Sequence, residues 1–445
     1  ASGLYAWKLV GNLYGRRTAP SAFRQLFEAI MVKNGFARGI IEPCAYYHKG
    51  WQVVATHHID DVRIVGPEDG VQKTVAHLKS FLLIKVSPPL VEQSAHDYLG
   101  RDWVRTRSGW IIVPSQKHMD KVLDIMEYNT SGRPLPSGVV TPGVERQWTK
   151  EDEQELDAEA ATKYRSAVGS LLYLSQDIEE IAFSMKECAR SLSGPRKGDW
   201  LNLSRVVKWL CHKTGWGVHL HTDFKSEVEL TIEVDAGHGG QRVDCRSTTG
   251  VRILLNSFVL DHASFTQPGL PSMSSGESEL RALSRAACDA LWAKEVCKEM
   301  GVTIESMRIV TDASAAWNNA GKLGPGRIRH LRVADAFVKE CLMTKQFVLI
   351  KVPGINNAAD IHTKFVDRAT LARHQRATGY HEVSCQYHKV DLCKCNGITD
   401  LSGDVNEAYE NWLANSLNQT RMEALTRKQD ERMQAQTDKQ DERMQ

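Results

Sequence analysis

A stretch of alternating, β-branched residues that ends in glycines constrains the fold of this chain most strongly. Thr231 to Gly240 reads TIEVDAGHGG, so a predicted strand delivers Asp235 to a glycine-rich exit. An aspartate at the end of a buried strand either caps the following turn or is the first of several carboxylates that hold a catalytic metal. Partner carboxylates elsewhere in the chain would favour the metal.

Three further acidic residues stand where predicted elements begin or end: Glu279, Asp312 and Asp360. Each has an ordinary structural explanation. Glu279 follows a Ser274–Glu277 capping-box signal in the first turn of a predicted helix, where an acid complements the helix dipole. Asp312 closes the strand MRIVT, and Asp360 opens the last predicted helix, where it could serve as the N-cap. Two strand ends and two helix N-termini can also converge on one cleft, and four carboxylates there would hold two divalent ions.

Length and composition limit the class of protein. A chain of 445 residues fits two or three domains. Its ten cysteines show no regular framework spacing, which predicts reduced thiols and an intracellular protein of the cytoplasm or nucleus. No apolar run approaches the length of a membrane span, and the N-terminus lacks a signal-peptide layout, so neither a membrane nor secretion is expected.

Two features of the first 140 residues suggest a polyanion partner. This part holds 17 Lys and Arg against 12 Asp and Glu. Arg16, Arg17 and Arg24 crowd the start of a predicted helix that begins near Pro20, where they could meet phosphates or form an ordinary solvated turn.

Two consecutive aspartates, Asp60 and Asp61, stand at the turn of a predicted hairpin. Aspartate is common in turns, but two apposed charges repel by roughly 4 kcal/mol at about 4 Å and an effective dielectric near 20. The pair therefore favours a divalent cation over a simple turn.

A dozen separated segments resemble one family of mobile elements. The first are LYGRRTAPSAF, IEPCAYY, HIDDVRIVG, DYLGRDW, IIVPSQKHMDKVL and VVTP. They are followed by YRSAVGSLLYLSQ, GDWLNLSRVVKWL, RSTTG, SSGESELRAL, VTDASAA and AADIHTK. In this order they resemble the Pol polyprotein of copia-type long-terminal-repeat retrotransposons, covering the second half of the reverse transcriptase, the connection and the RNase H region. The resemblance runs from about residue 7 to residue 372.

The resemblance implies a multidomain α+β and α/β architecture with a partial reverse-transcriptase palm and thumb, a helical connection and an RNase H-like mixed-sheet domain. We expect four regions. These are the C-terminal part of a reverse transcriptase (1–136), a linker with a helical thumb or connection (137–225), an RNase H-like domain (226–372), and a Cys/His-containing segment with a charged repeat tail (373–445).

The resemblance also assigns roles to the acidic residues. Asp60 and Asp61 correspond to the aspartate pair of the polymerase metal site, which would act on a primer–template. The family's other metal-binding aspartate lies upstream of LYGLKQAP, so we expect an upstream Pol segment to be needed and this chain alone not to extend a primer. Asp235, Glu279, Asp312 and Asp360 would hold Mg²⁺ or Mn²⁺ and hydrolyse the RNA strand of RNA:DNA hybrids.

The basic segment with Arg327, Arg329 and His330 could help to sense the hybrid.

The same resemblance leaves an alternative open. DAGHGG stands where the family has DADWAG, and QDIEEI stands where it has TRPDI. These departures suit a diverged, non-catalytic scaffold that binds nucleic acid without turnover.

The tail holds Cys385, His388, Cys393 and Cys395 close together, which would suffice for a Zn²⁺ site by ligand type. Their spacing matches no common zinc motif, so free thiols are the preferred interpretation.

Overall fold

The computed structural model describes residues 16–91, 94–106, 109–128, 136, 138–213, 215–221, 227–256, 258–320 and 331–383. These residues form a mixed α and β structure with several separate sheets. They divide into two compact units. The first unit comprises the described residues within Ala1–Leu90 and Leu291–Glu305, and the second those within Val91–Ala290 and Ser306–Gln445.

The first unit contains an antiparallel sheet with the strand order β1-β2-β3-β4. Its elements are α1 (Ala19–Lys33), β1 (Ala37–Arg38), β2 (Ala45–His48), β3 (Val53–His58), β4 (Asp61–Val65) and α2 (Glu68–Lys79). Pro20 lies in the first turn of α1, as predicted, where its missing N–H costs no hydrogen bond. Phe27 and Met31 of α1 pack with Val53 of β3 in one buried cluster. The predicted hairpin is present, with its turn between β3 and β4.

The second unit contains a longer series of elements. In chain order they are β5 (Ala95–Tyr98), β6 (Arg101–Arg105), β7 (Gly109–Val113), α3 (Gln116–Ile125), α4 (Ala158–Leu174), α5 (Glu179–Arg190), α6 (Lys197–Leu210), β8 (Trp216–His221), β9 (Glu229–Gly237), β10 (Thr248–Leu255), β11 (Phe258–Thr266), α7 (Ser275–Glu299), β12 (Ser306–Thr311), α8 (Ser314–Ala320), α9 (Arg332–Met343), β13 (Val348–Lys351), two 3₁₀ turns (Gly354–Asn356 and Ala358–His362), α10 (Arg368–Thr378) and β14 (Tyr380–Glu382). From Leu291 onward, α7 belongs to the first unit.

The helices α4, α5 and α6 contribute to one hydrophobic core. Their apolar residues recur at helical spacing in the sequence, and Tyr164, Ile181 and Leu203, one from each helix, are fully buried in the same cluster. The spacing therefore predicted these three helices correctly. Their assignment to a thumb or connection stays a prediction.

A mixed sheet carries β9, the strand predicted from the TIEVDAGHGG stretch. Its order is β11-β10-β9-β12-β13, with β9 in the centre. β9 pairs antiparallel with β10 and parallel with β12, and β12 pairs parallel with β13. Because parallel strands end at the same edge of a sheet, residues at the carboxyl ends of β9 and β12 become neighbours.

A second, fully antiparallel sheet of this unit has the order β14-β8-β7-β6-β5. It joins strands from three of the four regions expected from the sequence, namely 1–136, 137–225 and 373–445. The boundaries of those regions and the palm assignment stay predictions. In the described part of the chain, no helix has both the length and the apolar character needed to cross a membrane.

Candidate active site

Two of the four predicted site residues lie at the shared edge of parallel strands. Asp235 sits near the end of the buried central strand β9 and is 4% exposed. Asp312 directly follows β12, the parallel neighbour of β9. Asn357, which is fully buried, donates from Nδ2 to Asp312 Oδ1 at 2.9 Å and to the Val234 carbonyl at 3.0 Å. This amide ties the carboxylate after β12 to the backbone of β9.

Asp360 comes from a different kind of element than the sequence predicted. We expected it to open the last helix, but it lies inside the 3₁₀ turn Ala358–His362, and α10 begins only at Arg368 with Asp367 as its N-cap. The amide of Asn357 caps the 3₁₀ turn, since its Oδ1 accepts from the N–H of Ala359. Asp360 and Asp367 could each cap the start of the last helix, and the sequence pattern did not distinguish these two positions.

The glycines of β9 and β10 allow this turn to approach the sheet closely. A Cβ atom at Gly237 would lie 2.6 Å from the Thr363 carbonyl oxygen, which explains why no larger side chain stands there. Thr363 in turn donates a hydrogen bond from its hydroxyl to Asp235 Oδ2. Glycine at position 237 of DAGHGG therefore leaves room for the turn to pack against the end of β9.

Glu279 is supplied by the first turns of α7. Ser274 Oγ accepts from the N–H of Glu277 at 3.2 Å, while the Glu277 carboxylate accepts from the N–H of Met273 at 3.0 Å. The predicted capping box is therefore present, except that the Glu277 carboxylate accepts from the backbone N–H of Met273 and not from that of Ser274. Leu280 and Leu283 are buried behind this turn, which leaves Glu279 half-buried.

The carboxylates converge. Asp235, Asp312 and Asp360 each offer an oxygen, and these three oxygens lie within 4.8 Å of one another. Burial, followed by the charges of Asp235 and Asp312, raises the pKa of Glu279 to about 9. Burial, followed by the charge of Asp235, raises the pKa of Asp360 to about 7. Two buried acids with raised pKa values beside the carboxylates of Asp235 and Asp312 form a site that favours cations.

The donor set fits Mg²⁺ or Mn²⁺. All four candidate ligands are carboxylates, and hard divalent cations take oxygen ligands. Burial and then the neighbouring carboxylates raise the pKa of Glu279 and Asp360, so a bound cation would stabilise their ionised forms. Asp235, Asp312 and Asp360 would therefore hold the metal, with Glu279 as the predicted fourth ligand, and among the described residues no softer N or S ligand belongs to the group of three.

A buried ionic network supports the turn from behind. Arg252 of β10 is fully buried; its Nε lies 2.7 Å from Glu179 Oε2, and it also pairs with Glu233. His362 Nε2 lies 3.1 Å from the same Glu179 oxygen. His262 stacks on His362 with ring centroids 5.1 Å apart. The residue two places after Asp360 is thus bonded to α5.

Local sequence patterns did not predict this network. Glu179 belongs to QDIEEI, which was noted only as a departure from the family pattern. Arg252 was a usable signal, because an arginine inside the apolar run VRILL must find a buried acidic partner. Asn357 and Lys364 were also missed, and their motif positions gave no local reason to select them.

The polymerase candidates lie elsewhere. Asp60 and Asp61 are exposed at the turn between β3 and β4 in the first unit. Within the described residues, neither belongs to a group of three possible metal ligands. Their role in a polymerase site stays a prediction.

The basic and cysteine-containing candidates have mixed outcomes. Arg16, Arg17 and Arg24 are exposed at the start of α1 and in its first turns. Other predicted residues lie outside the described residues: Arg327, Arg329, His330, Cys385, His388, Cys393 and Cys395.

Two solved structures of RNase H proteins resemble part of the chain. One is an RNase H1 isolated from compost, with 17% sequence identity, a TM-score of 0.25, and coverage of 31% of this chain and 94% of that one. The other is the N-terminal RNase H domain of a Mycobacterium tuberculosis protein, with 17% identity, a TM-score of 0.23, and coverage of 34% and 99%.

Sequence comparison finds relatives over most of the chain, although no family model matches it. The retrovirus-related Pol polyprotein of transposon TNT 1-94 from Nicotiana tabacum is 24% identical over 84% of this chain and 28% of its own length. Those of transposons RE2 and RE1 from Arabidopsis thaliana are both 22% identical, over 85% and 82% of this chain and 25% and 24% of their own lengths. The chain thus spans about a quarter of the length of these curated relatives. The resemblance predicted from the motifs is confirmed: the chain is a homologue of a region of the retrovirus-related Pol polyproteins of retrotransposons.

Proposed function

We propose that this chain is a retroelement Pol region whose second unit hydrolyses the RNA strand of RNA:DNA hybrids. One observation carries the proposal. Carboxylates from three separate elements, at Asp235, Asp312 and Asp360, have oxygens within 4.8 Å of one another. Glu279 is not one of these three ligands, but the charges of Asp235 and Asp312 act on it, since after burial they raise its pKa to about 9.

The chemistry follows from this arrangement. Two divalent ions bound by these carboxylates would supply activation of the attacking water and stabilisation of the leaving oxygen. The water oxygen bonds to phosphorus while the bond to the 3′-oxygen breaks, and that oxygen leaves as a hydroxyl. Asp235, held by the Thr363 hydroxyl, and Asp312, held by the Asn357 amide, are the ligands whose positions are fixed by hydrogen bonds.

An RNA:DNA hybrid is the substrate that the homology favours. Proteins distinguish such hybrids by minor-groove shape and by the 2′-hydroxyl. The basic segment with Arg327, Arg329 and His330 stays a predicted nucleic-acid contact, because it lies outside the described residues. In the first unit, Arg16, Arg17 and Arg24 would contact primer–template phosphates, because they are exposed.

A non-catalytic scaffold is the second candidate. The observation that favours it is the ion pair between Asp360 and Lys364, whose atoms lie 2.9 Å apart, because an ammonium beside the cluster can offset carboxylate charge without a metal. A scaffold would bind hybrid tightly and leave the RNA strand intact.

Cleavage of a hybrid with a labelled RNA strand tests the proposal. We expect RNA hydrolysis in Mg²⁺ or Mn²⁺ and none in EDTA. Asp235→Asn and Asp312→Asn should each lower the hydrolysis rate at least a hundredfold, because loss of a ligand removes a metal and not just one contact. Asp69→Asn is the matched control, because Asp69 is an exposed aspartate paired with Lys73 on α2.

The result distinguishes the two candidates. Metal-dependent cleavage that both active-site variants abolish supports the nuclease. Binding of hybrid without cleavage by the wild-type chain supports the scaffold, and undiminished cleavage by both variants excludes the site.

A further inference from the structure

A lysine lies beside the acidic cluster. Lys364 stands four residues after Asp360, and its Nζ lies 2.9 Å from Asp360 Oδ1. The charges of Asp235 and Asp312 also attract this ammonium. The ammonium therefore interacts with all three carboxylates that form the candidate metal group.

The two partners differ in their freedom to move. Asp360 is 8% exposed and is fixed by the 3₁₀ turn, whereas 53% of the Lys364 side chain is exposed. A lysine with a long, half-exposed stem can place its ammonium in solvent without opening the core. The carboxylate therefore stays in place when the lysine leaves.

We propose that Lys364 is a positioning residue that takes the place of a divalent ion beside Asp360 in the metal-free protein and moves away when the ion binds. The inference rests on the proposed function, because it requires the four carboxylates to bind metal. An ammonium at hydrogen-bonding distance and a divalent ion at the same carboxylate repel each other, so both cannot keep their closest positions.

This competition has two consequences. In the metal-free protein Lys364 offsets the mutual repulsion of the carboxylates and keeps the turn against the strand ends. In the presence of metal it weakens binding. The interaction of one unit charge with a divalent ion about 5 Å away in a water-like dielectric corresponds to about a tenfold change in affinity.

Calorimetric titration of the full chain with Mg²⁺ measures the effect directly. We expect Lys364→Met to bind Mg²⁺ about tenfold more tightly than the wild type. Its Tm in EDTA should fall, and the rise in Tm on adding Mg²⁺ should be larger. Lys364→Arg keeps the charge and should resemble the wild type in both measurements. An effect of lost packing alone would not depend in this way on whether the positive charge is kept.

Lys73→Met provides a matched control. Lys73 also forms an i,i+4 pair with an aspartate, Asp69, at 2.8 Å, but on α2 of the first unit. We expect this variant to leave the Mg²⁺ affinity and the Mg²⁺-dependent rise in Tm unchanged. Lys364→Gln serves as a second neutral variant should the methionine variant fold poorly.

The outcomes separate the inference from the proposed function. Equal or weaker Mg²⁺ binding by the neutral Lys364 variants, with a wild type that binds Mg²⁺ and cleaves hybrid, overturns the inference alone. A wild type that neither binds Mg²⁺ nor cleaves hybrid overturns the proposed function and the inference with it.

Discussion

Asp235 on β9 lies directly opposite Gly250 on the antiparallel strand β10. The 3₁₀ turn that carries Asp360 packs over this glycine, where a Cβ atom would come within 2.7 Å of His362 Cβ and 2.8 Å of the Ala359 carbonyl oxygen. The missing side chain at position 250 therefore sets how closely the turn approaches the strand that carries Asp235.

Gly250→Ala should displace the turn and separate Asp360 from the other carboxylates. Two of the three nearest atoms are the Ala359 carbonyl oxygen and the His362 Cβ, which cannot rotate away as the end of a flexible side chain would. We expect a loss of about 1–3 kcal/mol in the free energy of unfolding, as for overpacking in a core, measured by urea denaturation. Hybrid cleavage should fall at least tenfold, because ligand positions shift.

Gly169→Ala is the control for this substitution. Gly169 lies within α4, and a Cβ atom there would meet nothing within 4 Å. Alanine should therefore stabilise the helix by about 0.5–1 kcal/mol and leave cleavage unchanged. A Gly250→Ala variant as stable and as active as Gly169→Ala would contradict the role of the close approach.

Arg252→Met should be strongly destabilising, because it leaves Glu179 and Glu233 buried without their cation. Removing one partner of a buried ion pair typically costs about 3–5 kcal/mol. The comparison is Arg285→Met, which breaks an i,i+4 pair with Asp289 whose arginine side chain is 54% exposed. That loss should stay below about 1 kcal/mol. If the two variants unfold at the same urea concentration, the network around Arg252 is not essential for stability.

Sequence patterns predicted those parts of the fold that depend on local residues. The apolar spacing of α4, α5 and α6 and the alternation of β9 follow from neighbours a few positions apart, so they could be recognised along the chain. The strand that ends just before Asp312 was recognised in the same way.

Features that depend on distant partners could not be recognised from local patterns. β8 pairs with β7 and with β14, and each partner lies more than 100 residues away along the chain. Turn signals do not encode such pairings. The 3₁₀ turn at Asp360 exists because Asn357 binds the Asp312 carboxylate and the Val234 carbonyl, which are remote in sequence. The four candidate site residues were nevertheless selected, because each stands at the boundary of a locally predicted element.

The metal-free protein should become less stable as the pH rises from about 5 to about 9. The pKa of Glu279 is raised from 4.5 to about 9, and that of Asp360 from 3.8 to about 7. Within this window the folded chain holds protons that the unfolded chain has released, so the free energy of unfolding falls with increasing pH. Thermal unfolding in EDTA across this range should show a falling Tm.

Glu279→Gln should flatten this pH dependence, because the amide does not titrate. Glu295→Gln is a control on the same helix, since Glu295 pairs with Lys298 and does not belong to the cluster. Saturating Mg²⁺ should flatten the dependence in the wild type, because a cation replaces the retained protons. An unchanged slope in Glu279→Gln would show that the cluster is not the source of the effect.

The last prediction concerns the aspartate pair of the first unit. Asp60 and Asp61 are exposed at a hairpin turn, and no third ligand groups with them among the residues that the structure describes. Because polymerisation by two metals needs ions bridged by several fixed carboxylates, we expect this chain to add no nucleotides to a primer–template in Mg²⁺ or Mn²⁺. The double variant Asp60→Asn, Asp61→Asn should also cleave hybrid like the wild type. Extension of a labelled primer, resolved on a gel beside an active reverse transcriptase, measures the first outcome, and metal-dependent synthesis that the double variant abolishes would show instead that this hairpin completes a polymerase site.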